Sequence, residues 1–216
     1  MKFKKTDWIA IAIILATFIQ LIIVYPSLPA QVPINWGFDG QVQYGAKSNL
    51  WLLAGINAAL YPLFFIIPKI DPKGKSYNKV DGFYKNFRLV IVVFLAAILE
   101  ITIFSSTDAH RFDVGKIAGI GLALLLIFIG NYLPKCKQSY TLGIKTMWTL
   151  ADERVWNDTH RLGGMAFVAA GVISLVATLL LPEKLYYIIS MITVGAAVVG
   201  TTVYSYISYR KYNKDN

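Results

Sequence analysis

Six apolar stretches, at roughly 8–25, 49–67, 88–106, 115–133, 163–181 and 186–208, constrain this chain more than any other feature. Each has about 18 residues or more, the length a helix needs to cross the hydrocarbon core of a bilayer. In hydrocarbon, backbone amides must be paired within their own segment, so such stretches can only be helices. Of 216 residues 56% are hydrophobic and only 15% charged, which leaves no room for a soluble domain beside the bundle. The expected class is an all-α polytopic membrane protein with six transmembrane helices. Pro26, Pro29, Pro68, Pro134 and Pro182 follow apolar stretches, as expected where helices stop, and Pro62 inside the second is predicted to kink it. The N-terminal MKFKKTD is followed by a long apolar run with no clear small-residue cleavage site, and it reads as a retained first span.

Charge then fixes the expected orientation. Seventeen of the 21 Lys and Arg lie at the two termini and in the second and fourth connections, against four in the first, third and fifth. Basic residues accumulate in cytoplasmic loops, so both termini are expected to be cytoplasmic. The net charge of +9 has the same origin, and no motif that reads DNA or RNA accompanies it, so no direct contact with nucleic acid is expected. The chain divides into residues 1–67, two spans with the external loop 26–48; 68–114, a basic loop, the third span and an external loop; and 115–216, spans four to six with the cytoplasmic loop 134–162. Cys136 is the only cysteine, which excludes an intrachain disulfide and leaves a reduced thiol.

The connections have patterns of their own. In the first, Val32, Ile34 and Trp36 alternate with Pro33 and Asn35, a turn at 37–40 follows, and Val42 and Tyr44 alternate with Gln41 and Gln43. That pattern predicts a short extracellular hairpin packed on the ends of the spans. The second carries Tyr77, Phe83 and Tyr84, expected at headgroup level beside a basic cluster that attracts anionic lipid. The third holds Asp108, His110 and Asp113, too few ligands on a loop to predict a metal site. In the fourth, Thr149 with Asp152 three residues on reads as a helix start, with Ala151, Val155 and Leu162 on one stripe and Glu153, Asn157 and Arg161 in a polar row. This predicts a cytoplasmic interfacial helix anchored by Trp148 and Trp156 and running into the fifth span through Gly163 and Gly164. His160, beside Asp158, is expected at the surface or at a helix cap. Ala166 with Ala170, Ala196 with Gly200 and Gly115 with Gly119 have the spacing of closely packed helices.

Glu100 stands in a run of apolar residues in the third span, where a carboxyl group is costly and marks a functional candidate. Gln20 is expected at a similar height and Asn57 near mid-membrane, so the three are candidates to line a polar cavity opening outward beneath the hairpin. The alternative is a Glu100 carboxyl protonated or hydrogen-bonded inside the bundle, or close enough to the interface to be wet. No nucleophile elbow, HExxH, Gly-rich phosphate loop or zinc spacing occurs, so neither enzymatic activity nor a cofactor is expected.

Gly130-Asn131-Tyr132-Leu133-Pro134-Lys135, Gly143-Ile144-Lys145-Thr146, Trp148-Thr149-Leu150, Val155-Trp156 and Thr159-His160-Arg161 with Gly163-Gly164 resemble the signature of the SdpI family of bacterial membrane proteins. Leu28-Pro29, Val32-Pro33, Trp36, Asp39-Gly40, Tyr44-Gly45 and Lys47 resemble the small domain of unknown function that often precedes it. The resemblance implies a multi-pass protein of the bacterial cytoplasmic membrane conferring immunity to a secreted SDP-like toxin peptide. It further implies a sensor that holds a cytosolic transcriptional repressor at the membrane. The candidate toxin-facing residues are then Gln20, Asn35, Trp36, Asp39, Tyr44, Asn57 and Glu100, and the cytoplasmic motif is Asn131, Pro134, Lys145, Trp148, Thr149, Trp156, His160 and Arg161. Two departures stand out: the family often has Arg-Thr-Pro-Trp where this chain has Lys145-Thr146-Met147-Trp148, and His-Trp-Asn where it has Asn35-Trp36-Gly37. Lys cannot make the bidentate contacts of Arg. The other readings are a transporter or small-molecule binder using Glu100, and an enzyme acting on lipid or peptide within the membrane.

Overall fold

The six apolar stretches form six membrane-spanning helices. The computed structural model describes residues 3–37, 41–74, 77, 81–107 and 113–213. In chain order they form α1 (Lys5–Val24), strands β1 (Gln31–Trp36) and β2 (Val42–Ala46), α2 (Asn49–Ile70), α3 (Asp81–Thr107), α4 (Val114–Tyr132), a short α5 (Met147–Ala151), α6 (Glu153–Leu180) and α7 (Glu183–Tyr212). They group into two compact units, one of 1–66 with 82–118 and one of 67–81 with 119–216.

In the first unit, α1 is capped by Asp7, whose carboxylate accepts the Lys4 amide at 2.7 Å. Buried Leu21, Leu28, Val32, Leu50, Leu99 and Ile103 form one core cluster, and Ala10, Tyr61 and Val92 form another. The strands pair antiparallel from Gln31 opposite Ala46 to Trp36 opposite Val42. An irregularity between Pro33 and Asn35 breaks the expected alternation: Val32 and Pro33 are both buried, while Ile34 is exposed. Lys47 ties the base of the hairpin to the end of α1, donating from Nζ to the carbonyls of Tyr25 and Leu28 and lying over the Tyr25 ring.

In the second unit, glycines allow α4 and α6 to approach closely. A Cβ on Gly164 would lie 2.7 Å from both the Gly130 carbonyl and the Pro134 ring, and one on Gly171 would lie 2.8 Å from the Ala123 carbonyl. Gly119 faces Thr178 and Tyr186. Ala196 and Gly200 differ from expectation: both are exposed, and nothing lies within 4 Å of a Cβ built on Gly200.

The helix ends also depart from the sequence reading. α2 continues through Pro62 and Pro68 to Ile70. α3 starts at Asp81 rather than near 88, and Phe83 and Tyr84 are buried in the first unit, Tyr84 donating to the Phe64 carbonyl at 2.8 Å. Tyr77 is buried in the second unit. The fourth connection caps at two residues other than Thr149: Thr146 caps α5, accepting the Thr149 amide, and Asp152 caps α6, accepting the Arg154 amide. Thr149 lies inside α5, where its hydroxyl donates to the Ile144 carbonyl.

Candidate functional site

The hairpin builds a groove in the first unit. Ile34 and Trp36 of β1, Leu53 and Ile56 of α2, and Ile98 and Thr102 of α3 line a cavity of about 280 Å³. Among the described residues, no titratable side chain lines it. Such a surface accepts apolar groups. Of the expected toxin-facing residues, Trp36 lines it; Asn35 and Tyr44 are exposed on the strands, with Asn35 donating to Gln43 at 3.3 Å. Asp39 lies outside the described residues, as do Asp108 and His110.

Glu100 is turned away from this groove and toward α1. Gln20 donates from Nε2 to Glu100 Oε2 at 2.5 Å, both side chains being half-buried. Asn57 does not join them; it is buried and donates to the Val92 carbonyl at 3.2 Å. A second polar bridge crosses the same two helices nearer their starts. Arg88 Nη2 lies 2.9 Å from Asp7 Oδ1, and each side chain is only 1% exposed. Tyr61 donates to the same carboxylate oxygen at 2.9 Å, and the guanidinium sits 4.3 Å from the Phe65 ring centre. Two bridges joining early residues to early and late to late mean that α1 and α3 run in the same direction.

The sequence reading took Arg88 for a topology-setting loop charge and missed this pair. The available signal was spacing: Arg88, Val92, Ala96, Leu99 and Ile103 follow a helical period and are the buried stripe of α3.

In the second unit the motif residues form a packed knot. Trp156 and His160 are fully buried and stacked, ring centres 4.0 Å apart, rather than anchoring at an interface or lying on the surface. Trp156 donates to the Cys136 carbonyl at 2.9 Å. The Ile144 amide donates to His160 Nε2 at 2.9 Å, so the ring proton is on Nδ1, which donates to the Trp156 carbonyl at 2.8 Å. Both ring nitrogens are thereby used, and His160 is neutral. Gly143 is held at φ 116° against the Trp156 and His160 rings, a conformation and a space that only glycine fits. Thr146 also donates to Ser205 of α7 at 3.1 Å, and Trp148 packs on Tyr206.

Asp71 ties two connections of this unit together. It accepts from the Thr141 hydroxyl at 2.7 Å, the Lys73 amide at 2.8 Å and the Tyr140 amide at 3.1 Å. Burial pulls its carboxyl upward, but these bonds outweigh it and hold it below the usual range. Gln138 donates to the carbonyls of Thr149 and Leu150 and accepts from Lys73. Burial pushes the Cys136 thiol up to about 11. Asn131, Pro134, Lys145 and Arg161 are exposed, and the polar row Glu153, Asn157 and Arg161 faces outward. The motif thus divides into a buried structural set and an exposed set.

Residues 135–205 match the SdpI/YfhL protein family, and residues 12–58 match a domain of unknown function, DUF1648. The immunity protein SdpI of Bacillus subtilis (strain 168) is 27% identical over 209 residues, which is 97% of this chain and 98% of that protein. No solved structure matches the chain.

Proposed function

From its similarity to the SdpI/YfhL family and to an SdpI immunity protein, we propose that the chain is a member of that family and a multi-pass immunity protein of the cell membrane, protecting its host from a secreted SDP-like toxin peptide. The observation that carries this reading is the end-to-end match to a curated immunity protein, 97% of one chain on 98% of the other. The apolar groove beside the hairpin supports it, because a membrane-active peptide presents apolar side chains and the groove offers Trp36 and Ile56 to receive them.

The test is survival. A toxin-sensitive strain expressing the chain is expected to grow in the presence of an SDP-like peptide. Trp36→Ala, at unchanged membrane abundance, is expected to weaken protection about tenfold or more, the usual loss when an aromatic anchor is truncated. No gain in survival with the unaltered chain would sink the immunity reading.

A role in sensing would assign the exposed Lys145 and Arg161 to a cytosolic repressor, on the side that charge counting places in the cytoplasm. Recruitment of a repressor to membranes only when toxin is present would test it. The Gln20–Glu100 bridge favours a second reading, ion-coupled transport or small-molecule binding. That reading requires a gradient-dependent flux that Glu100→Gln abolishes.

A further inference from the structure

The second unit has a groove that the immunity reading does not use. It runs between the end of α4 and the first half of the membrane part of α6, with a volume of about 550 Å³. Its floor is the close contact of Gly130 with Gly164, beside the Pro134 ring. Its wall is apolar, formed by Val168, Ala169, Val172 and Ile173. At the mouth the chemistry changes. Asn131 lines the groove, is exposed, and has no hydrogen-bond partner among the described residues.

Arg161 continues the same stripe of α6. Residues 161, 165, 168 and 172 follow at helical spacing, and Met165, Val168 and Val172 line the groove. Arg161 is exposed and has no ion-pair or hydrogen-bond partner among the described residues. Side chains on a helix lean toward its N-terminus, so this guanidinium reaches past the end of the groove rather than across it. Lys135 and Lys137 follow Pro134 in the chain; both are exposed, and Lys135 lies over the Tyr132 ring. An apolar lane therefore runs from the membrane interior to a free amide and unpaired cations.

We propose that this groove is a binding site for one anionic phospholipid, with an acyl chain along Val168–Ile173 positions and the phosphate held by Arg161, Asn131 and Lys135. A zwitterionic lipid satisfies the lane but brings its own cation to the basic mouth. A second copy of this chain would cover the lane but leave the cations at its mouth without an anion, whereas an anionic phospholipid fills the lane and supplies one. The site does not depend on the immunity reading. It gives a role to Asn131, Pro134, Gly164 and Arg161, motif residues that lie outside the Trp156–His160 knot.

The experiment is native mass spectrometry of the full purified chain titrated with phosphatidylglycerol and phosphatidylcholine. Phosphatidylglycerol is expected to be retained about fivefold or more over phosphatidylcholine, since one basic residue near a membrane surface is worth about that factor. Arg161→Gln is expected to bring the two lipids close to parity. Ala169→Trp, which fills the lane, is expected to lower retention of both, while Leu179→Trp, exposed on α6 outside the groove, is expected to change neither. Helical content of each variant is checked by circular dichroism. Equal retention of the two lipids, a preference that survives both Arg161→Gln and Ala169→Trp, or a dimer that Ala169→Trp breaks, would each overturn the proposal.

Discussion

Arg88 and Asp7 are the residues whose surroundings differ most from what their charges predict. Both are almost wholly buried, and apart from the ion pair the Arg88 guanidinium makes no directed hydrogen bond among the described residues. Removing one partner leaves the other as a buried charge without its counter-charge. Arg88→Met is therefore expected to cost about 3–5 kcal/mol, and Asp7→Asn combined with Arg88→Met is expected to recover much of that loss. Thermal unfolding of the single and double variants in detergent measures it; equal midpoints for all three would show that the pair contributes nothing. Counting Lys and Arg by loop treats every cation as solvated, which is why Arg88 was misplaced. His160 and Trp156 were misplaced for a related reason. A polar segment between two spans reads as surface, and only long-range contacts, such as the Ile144 amide on His160 and the Cys136 carbonyl on Trp156, show that it is folded inward. Gln20 with Glu100 was legible because two polar residues in apolar runs at matching height have few other partners.

Among the elements, the helices themselves were legible from hydropathy alone, because a bilayer-length apolar run admits one backbone solution. Which small residues face another helix was not. The spacing of Ala196 and Gly200 satisfies the same rule as that of closely packed glycines, yet Gly200 is open and Gly164 is in contact. The two sites should therefore respond in opposite directions. Gly164→Ala forces a Cβ into the Gly130 carbonyl and is expected to destabilise by about 1–3 kcal/mol. Gly200→Ala adds a methyl where nothing lies within 4 Å, in the interior of α7, and is expected to be neutral or to stabilise by about 0.4–1 kcal/mol. Unfolding midpoints in the same detergent decide it. A loss at Gly200→Ala equal to that at Gly164→Ala would show that α7 packs on a surface of another molecule. The helix starts of the fourth connection were misread by three residues because Thr146 and Thr149 are both plausible caps; the hydroxyl bond of Thr149 back to the Ile144 carbonyl is what the local pattern does not contain.

For the molecule as a whole, orientation in the membrane is the property on which immunity and signalling both depend. Charge counting assigns the hairpin and the motif segment to opposite sides. Cys136 makes the measurement clean: it is buried, and at pH 7.5 a thiol with a value of about 11 is thiolate to only roughly one part in 10³–10⁴. The native cysteine is thus a silent background for introduced ones. In intact cells, a membrane-impermeant maleimide is expected to label Gln43→Cys on β2 and to label Lys145→Cys only after the membrane is broken, both positions being exposed. Labelling of Lys145→Cys in intact cells would invert the assignment.

The two bridges between α1 and α3 also have a consequence in time. Glu100 is 80 residues downstream of Gln20. A ribosome adding about 5–20 residues per second needs roughly 4–16 s to cover that distance. Throughout that interval the first helix is complete, yet its glutamine has no acceptor in the hydrocarbon and the Asp7 carboxylate has no guanidinium. An unmet polar group in lipid costs several kcal/mol, on the order of the stability of a whole domain. The newborn α1 is therefore expected to stay at the insertion machinery until α3 emerges; crosslinking of stalled nascent chains checks it, and release of α1 into lipid before Glu100 is made would overturn it.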